Sequence, residues 1–281
     1  MPESPCHIAI GQMLVEPGVP EANLERAAAM IREAAARACR VVVLPECLDL
    51  GWTSPEAPRL AAPVPGPSSA ALAEAAVRWG IWVAAGLTER AGNRLYNAAV
   101  LLSPEGEIRL HHRKINLLEG VEDLYSPGER LGVAHTPWGT VGLDICADNF
   151  PDSLALGHSL ARMGADVLLS PCAWAVDADH DNAREPYGGL WRGAYGTLAG
   201  LFEMAVVGVS NVGGIPAGPW KGRKCIGCSL AVAPGGEVAA QGPYGEHAAA
   251  LVEVEMPLGR RPAMGTAIAP RLRARGHGGP L

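Results

Sequence analysis

Charge is scarce in this 281-residue chain. Asp, Glu, Lys and Arg make up 19 % of it, and the 23 Lys plus Arg fall short of the 29 Asp plus Glu. The resulting net charge of −6 excludes a chain whose main task is binding nucleic acid, because phosphate neutralisation needs a basic face. The one concentration of cations follows Met256 (Arg260, Arg261, Arg271, Arg273, Arg275) and reads as a solvated tail or a subunit-contact arm. No apolar run approaches the roughly 20 residues of a membrane span, so no membrane association is expected. Residues 1–5 have neither a basic nor an apolar leader region, so no secretory signal is expected. Aromatic side chains are few, 5 % with two Phe, so aliphatic residues must build the core. Seven cysteines, an odd number, do not read as a disulfide framework. Free thiols in a reducing, cytoplasmic setting are expected.

Hydrophobic residues are 48 % of the chain, enough to fold. Gly 35 and Pro 24 together make about 21 %, below a low-complexity composition and without a period. That implies many turns between short elements. A strand is expected at 7–14, then an Ala-rich helix to about 38 with Leu24, Ala28, Ile31 and Ala35 on one face. Residues 41–44 are a short apolar run closed by Pro45, the pattern of a buried strand. Ser68 is placed as the cap of a helix to 79. Strands are expected at 81–87, 95–102, 107–112, 132–136, 141–145, 166–169, 206–209, 226–232 and 248–254. Helices are expected at 152–163 and 190–203, and tight turns at 103–106 and 234–237. Strand–helix units beside hairpins argue for an α/β fold with mixed sheets. Residues 1–258 read as one domain and 259–281 as its tail.

Three polar groups stand where a strand gives way to a loop. Glu46 follows VVVLP, Lys114 follows the strand ending in His111, His112 and Arg113, and Cys146 follows VGLDI. Sites gather at such strand ends in α/β sheets. The segments around them resemble the carbon–nitrogen hydrolase family, the nitrilase superfamily. Residues 41–46 (VVVLPE) resemble its glutamate segment. Residues 86–114 resemble the hairpin that ends in its lysine, and 139–151 (GTVGLDICADNFP) its nucleophile turn. Residues 161–174 and 227–238 match in the same order.

The resemblance implies a four-layer α-β-β-α sandwich with two mixed sheets, pairing through helices into a homodimer or larger homo-oligomer. It implies Glu46 as general base, Lys114 as stabiliser of thiolate and oxyanion, and Cys146 as nucleophile. A second glutamate is implied between Lys114 and Cys146; Glu122 is favoured and Glu119 competes. Thiol chemistry agrees with these roles. A neighbouring ammonium favours the thiolate, a carboxylate can take its proton, and Lys114 with the Ala147 N–H can receive an oxyanion.

Ala147-Asp148 after the nucleophile resembles the amidase and carbamoylase branches more than the true nitrilases, which carry Trp-Glu there. Asp152 stands where a glutamate is usual. The expected substrate is a small linear amide or an N-carbamoyl (ureido) amine, cleaved through a thioester with release of ammonia. Nitrile hydrolysis and a silent interaction module are the alternatives. Trp52, Tyr125, Ala147, Asn149 and Trp174 are expected to bind substrate, and Arg184 or Arg192 are candidates for reading a carboxylate.

No cofactor and no metal are expected. Cys225 and Cys228 form a single CxxC, too little for zinc, and read as packing on one core strand; Cys172 reads as a pocket wall. Of His111 and His112, one faces in and one out. Residues 177–181 (DADHD) read as a polar surface loop. Neither a G-x-S-x-G turn nor a phosphate loop is present.

Overall fold

The structure, a computed structural model, describes residues 5–258 and 274–276. The expected tail at 259–281 therefore lies outside the described residues, apart from 274–276. Strand β1 (Cys6–Gln12) leads through helix α1 (Pro20–Ala36) to β2 (Val41–Val43). Helices α2 (Ala57–Leu60) and α3 (Pro67–Trp79) precede β3 (Trp82–Ala91), β4 (Arg94–Leu102) and β5 (Ile108–Arg113). After β6 (Val133–Thr136) and β7 (Gly139–Leu143) come a 3-10 turn at Cys146–Asn149 and helix α4 (Leu154–Arg162). Strands β8 (Val167–Cys172) and β9 (Ala175–Val176) lead to helix α5 (Gly189–Phe202). The chain continues through β10 (Ala205–Ser210), β11 (Val212–Gly214), β12 (Lys224–Ile226), β13 (Leu230–Val232), β14 (Val238–Gln241) and β15 (Ala250–Met256).

Two six-stranded sheets result, ordered β15-β1-β2-β3-β4-β5 and β14-β13-β10-β8-β7-β6, with a small third sheet β11-β12-β9. Each large sheet is mixed. β1, β2 and β3 run parallel, as do β7, β8 and β10, and antiparallel strands flank both sets. Central parallel strands are buried on both faces, which is why Val41–Val43 is uninterrupted in valine. The alternation of a strand divides that run. Val41 and Val43 pack in the core cluster that joins the two sheets, and Val42 packs beneath α1 and α3 with Ala27, Ile31 and Leu72. Helices α4 and α5 cover the second sheet through Leu160, Tyr195 and Leu198. The order helix, sheet, sheet, helix is the expected sandwich.

Three local expectations are corrected. The helix placed under Ser68 begins two residues earlier, behind Gly66 with Pro67 in its first turn. Ser69, not Ser68, supplies the hydroxyl that accepts the Gly66 N–H, at 2.9 Å. The strand expected at 226–232 is broken. Gly227 and Cys228 both adopt left-handed φ, +64° and +60°, and carry the chain from the small sheet into the second large sheet. A β-carbon on Gly227 would stand 2.1 Å from the Gln12 side chain, so only glycine suits this crossing. Cys225 and Cys228 consequently occupy different strand environments, both buried. The irregular stretch before 132 folds over the strand ends and carries Glu122.

Candidate active site

Glu46, Lys114 and Glu122 meet in a closed cluster. Lys114 Nζ donates to Glu46 Oε1 at 2.8 Å and to Glu122 Oε1 at 2.9 Å, and all three side chains are essentially out of water. Each arrives from a different element. Glu46 leaves the end of β2, and its N–H donates to the Cys172 carbonyl of β8, at 3.2 Å. Gly86 of β3 makes this possible, because a β-carbon there would stand 2.5 Å from the Glu46 Cα. Lys114 follows β5 and is tied by its N–H to the Asn97 carbonyl, at 2.8 Å. Glu122 is held from behind by the Leu118 N–H at 2.9 Å and by Trp52 Nε1 at 2.8 Å. Glu119 is exposed, so of the two competing glutamates the structure brings Glu122 to Lys114.

Asn97 Nδ2 bridges Glu46 Oε1 at 2.6 Å and Glu122 Oε1 at 3.0 Å. This residue has no place in the sequence reading. Its signal was a single amide inside the apolar strand 95–102. Glu46 Oε2 is buried and has no hydrogen-bond partner among the described residues, which leaves one carboxylate oxygen open for proton transfer.

Cys146 opens the 3-10 turn with φ +44°, a conformation rare for a non-glycine residue. Its N–H donates to Ser170 Oγ at 3.1 Å. Two residues on, Asp148 links this turn to the lysine strand. Its Oδ1 accepts from the N–H groups of Ile115 and Asn116, at 3.0 and 2.8 Å. Its Oδ2 accepts from Ile145 N–H and pairs with buried His112, at 3.0 and 2.8 Å. His111 points outward to Glu89, as strand alternation requires.

The electrostatics follow from burial. Desolvation pushes the Cys146 thiol well above its ordinary range, and Cys172 and Glu46 add to that, while Lys114 opposes them. Burial works to lower Lys114, but Glu46 and Glu122 together outweigh it and hold the ammonium well above its usual value. Burial raises Glu46, as does the neighbouring Glu122; Lys114 and Asn97 pull it back. The resting arrangement is therefore a neutral thiol beside a persistent cation and a carboxylate with raised proton affinity.

Of the other expected residues, Trp52 and Tyr125 stand beside Glu122. Trp52 is buried and bonded to Glu122. Tyr125 OH lies 3.6 Å from Cys47 Sγ. Asn149 Nδ2 donates to Asp144 Oδ1 at 2.8 Å and Ser170 Oγ at 3.2 Å. Trp174 is buried and stacks on Trp191, ring centroids 4.8 Å apart. Ala147 is buried within the 3-10 turn that Cys146 opens. Arg184 is exposed, and Arg192 bonds the Tyr187 carbonyl and Gln241, so neither guanidinium bonds to the cluster.

Among the described residues, one grouping has metal-type ligand atoms within 4.8 Å of one another: His7, Cys39 and Glu253. It lies on the outer sheet edge, and the Glu253 oxygens are engaged by His7 and Arg37. No helix among the described residues is long and apolar enough to cross a membrane.

Comparison with known proteins agrees with the arrangement. The first sandwich relatives are at the level of fold: an amidase from Nesterenkonia sp. superposes with a TM-score of 0.77 over 92 % of each chain, at 20 % identity. Omega-amidase NIT2 of Xenopus tropicalis is 32 % identical over 177 residues, 59 % of this chain and 63 % of that protein. The match thus spans less than two thirds of that relative's length. A nitrilase of Pyrococcus abyssi is 31 % identical over 248 residues, 86 % of each chain. The family model for carbon-nitrogen hydrolases matches residues 7–261. This chain belongs to the carbon-nitrogen hydrolase family.

Proposed function

We propose that the protein hydrolyses the C–N bond of a small linear amide through a thioester on Cys146. The observation that carries this reading is the buried Glu46–Lys114–Glu122 cluster acting on the Cys146 thiol, with Glu46 Oε2 unengaged. The Cys146 sulfur attacks the carbonyl carbon while its proton passes to Glu46. The oxyanion forms between the Lys114 ammonium and the Ala147 N–H; the Cys146 N–H is already committed to Ser170. Collapse breaks the C–N bond, Glu46 returns the proton to the leaving nitrogen, and ammonia departs. Glu46 then takes a proton from water, which attacks the thioester and releases the acid and the thiol.

The amidase and omega-amidase relatives support an amide over a nitrile as substrate, and Asp148 after Ala147 supports the same branch. An N-carbamoyl amine presents the same carbonyl; Arg184 and Arg192 lend it no carboxylate clamp. Ammonia release from a panel of linear amides, ureido compounds and nitriles tests the reading. Turnover of amides that disappears in Cys146→Ala is expected; undiminished turnover in that variant overturns it. The nucleophile must stay reduced, in keeping with a cytoplasmic setting. Exposed Met163, Leu190 and Leu201 on the outer helix layer support pairing through that layer, which sedimentation tests.

A further inference from the structure

The proposed chemistry gives no task to the buried carboxyl of Asp144. Asp144 lies two residues before Cys146 and is fully enclosed. Its Oδ1 accepts from Asn149 Nδ2, and its Oδ2 has no hydrogen-bond partner among the described residues. Asn149 divides its two amide protons between Asp144 and Ser170 Oγ, and Ser170 Oγ also accepts the Cys146 N–H. Asp144 thus reaches Ser170, and through it the Cys146 N–H, by way of the Asn149 amide.

The position of this network gives it a consequence. Cys146 holds φ +44°, and a strained backbone of that kind persists only where its surroundings over-determine it. We propose that Asp144 is a positioning residue for the nucleophile: by accepting one proton of the Asn149 amide it aims the other at Ser170 Oγ, which receives the Cys146 N–H, and so holds the nucleophile turn in shape. Asp144 touches neither substrate nor reacting atoms. The inference rests on Cys146 being the nucleophile.

The charge of Asp144 enters through the same bond. Asp148 and Asn149 face it from its own turn, Ser170 and Cys172 from β8, His112 from β5 and Tyr195 from α5. Burial, and Asp148 next, raise its pKa to about 7; Ser170, His112 and Asn149 oppose them. As an ionised acceptor it holds the Asn149 amide most strongly. The hold is complete above that value and weakens as pH falls through it.

The test follows Cys146 directly. Wild type, Asp144→Asn, Asp144→Ala and Ser170→Ala are alkylated with iodoacetamide across the neutral range, the labelled peptide identified by mass, and kcat and KM are measured on a turned-over amide. Expected is an inflection in the wild-type alkylation rate near pH 7 that Asp144→Asn lacks. Ser170→Ala and Asp144→Ala are expected to lose about tenfold or more in kcat with KM within about twofold, and Asp144→Asn to lose less, because its amide oxygen still accepts. An inflection that survives in Asp144→Asn, or wild-type kcat in Ser170→Ala, overturns the proposal. If the Asp144 variants do not fold, Ser170→Ala, which removes one oxygen and adds no charge, decides it by the kcat–KM split. Amide turnover retained in Cys146→Ala strikes the nucleophile reading instead; the alkylation profile, which needs only the thiol, still judges Asp144.

Discussion

His112 Nε2 lies 2.8 Å from Asp148 Oδ2, with both side chains out of water. The pair fastens β5, which delivers Lys114, to the turn that delivers Cys146, and the second Asp148 oxygen fastens the backbone at Ile115 and Asn116. One carboxylate thereby sets the spacing of ammonium and thiol. Asp148→Asn puts an amide NH2 against donors and leaves a buried partner unpaired. A stability loss of about 3 kcal/mol is expected. Urea unfolding measures it, and ammonia release should fall about 100-fold.

Lys114→Met removes the one cation that, among the described residues, is bonded to Glu46 and Glu122 and sets two buried carboxylates against each other. The oxyanion loses its charged donor as well. A fall in kcat of about 1,000-fold is expected, with a milder fall of about 100-fold for Glu122→Gln. Glutamine still accepts from Leu118 and Trp52 through its amide oxygen. Steady-state ammonia release, with circular dichroism as the check on folding, separates the two.

Two buried carboxyls give stability opposite dependences on pH. Burial works to raise Glu89, but hydrogen bonds from Arg113 and His111 outweigh it and hold it down to about 2. Its folded value lies below its unfolded value, so its contribution is present above about pH 4.5 and is lost as pH falls toward 2. Burial raises Asp49 to about 6 against the N–H groups of Thr88 and Leu50. Its folded value lies above its unfolded one, so stability is lost as pH rises from about 4 through 6. Asp49→Asn should therefore match wild type near pH 4 and exceed it by roughly 3 kcal/mol or less at pH 8. Glu89→Gln should be weaker than wild type at pH 7, with the difference closing near pH 2. Denaturant midpoints across pH measure both.

Gly86→Ala tests whether the position of Glu46 matters more than its chemistry. The added methyl meets the Glu46 Cα at 2.5 Å and the Pro45 carbonyl at 2.8 Å, so the glutamate segment must shift. A loss of kcat of about tenfold or more is expected without loss of any catalytic side chain, because small displacements of reacting groups are costly. Wild-type kcat in a folded Gly86→Ala would show that the segment tolerates the shift.

The sequence exposed its chemistry more plainly than the scaffolding behind it. Glu46, Lys114 and Cys146 stand at strand ends, in segments that match a family pattern in order, and that pattern survives in one dimension. The mixed α/β character was likewise legible, because Val41–Val43 and Val167–Leu169 carry the unbroken apolar character of buried strands, whereas the four-layer order came from the family resemblance and not from periodicity. The supports were not. Asn97, Ser170 and Asp144 look like ordinary polar residues until strands far apart in the chain bring them together, 51 residues for Asn97 and Glu46. The break at Gly227 and Cys228 was hidden for a related reason. Apolar residues continue through it, and only the left-handed backbone and the Gln12 side chain across the way require the turn.

The sheet that bears Glu46 and Lys114 is bordered by β15, paired antiparallel to β1 from Cys6↔Met256 to Gln12↔Ala250. During synthesis β1 leaves the ribosome some 240 residues ahead of its neighbour. Until that neighbour arrives, one edge of the half-built sheet offers unpaired N–H and C=O groups to any extended strand nearby. A closure so distant in sequence makes folding slow. Emergence of β15 from the ribosome, rather than any local step of helix or hairpin formation, then sets the earliest moment at which the sheet can close.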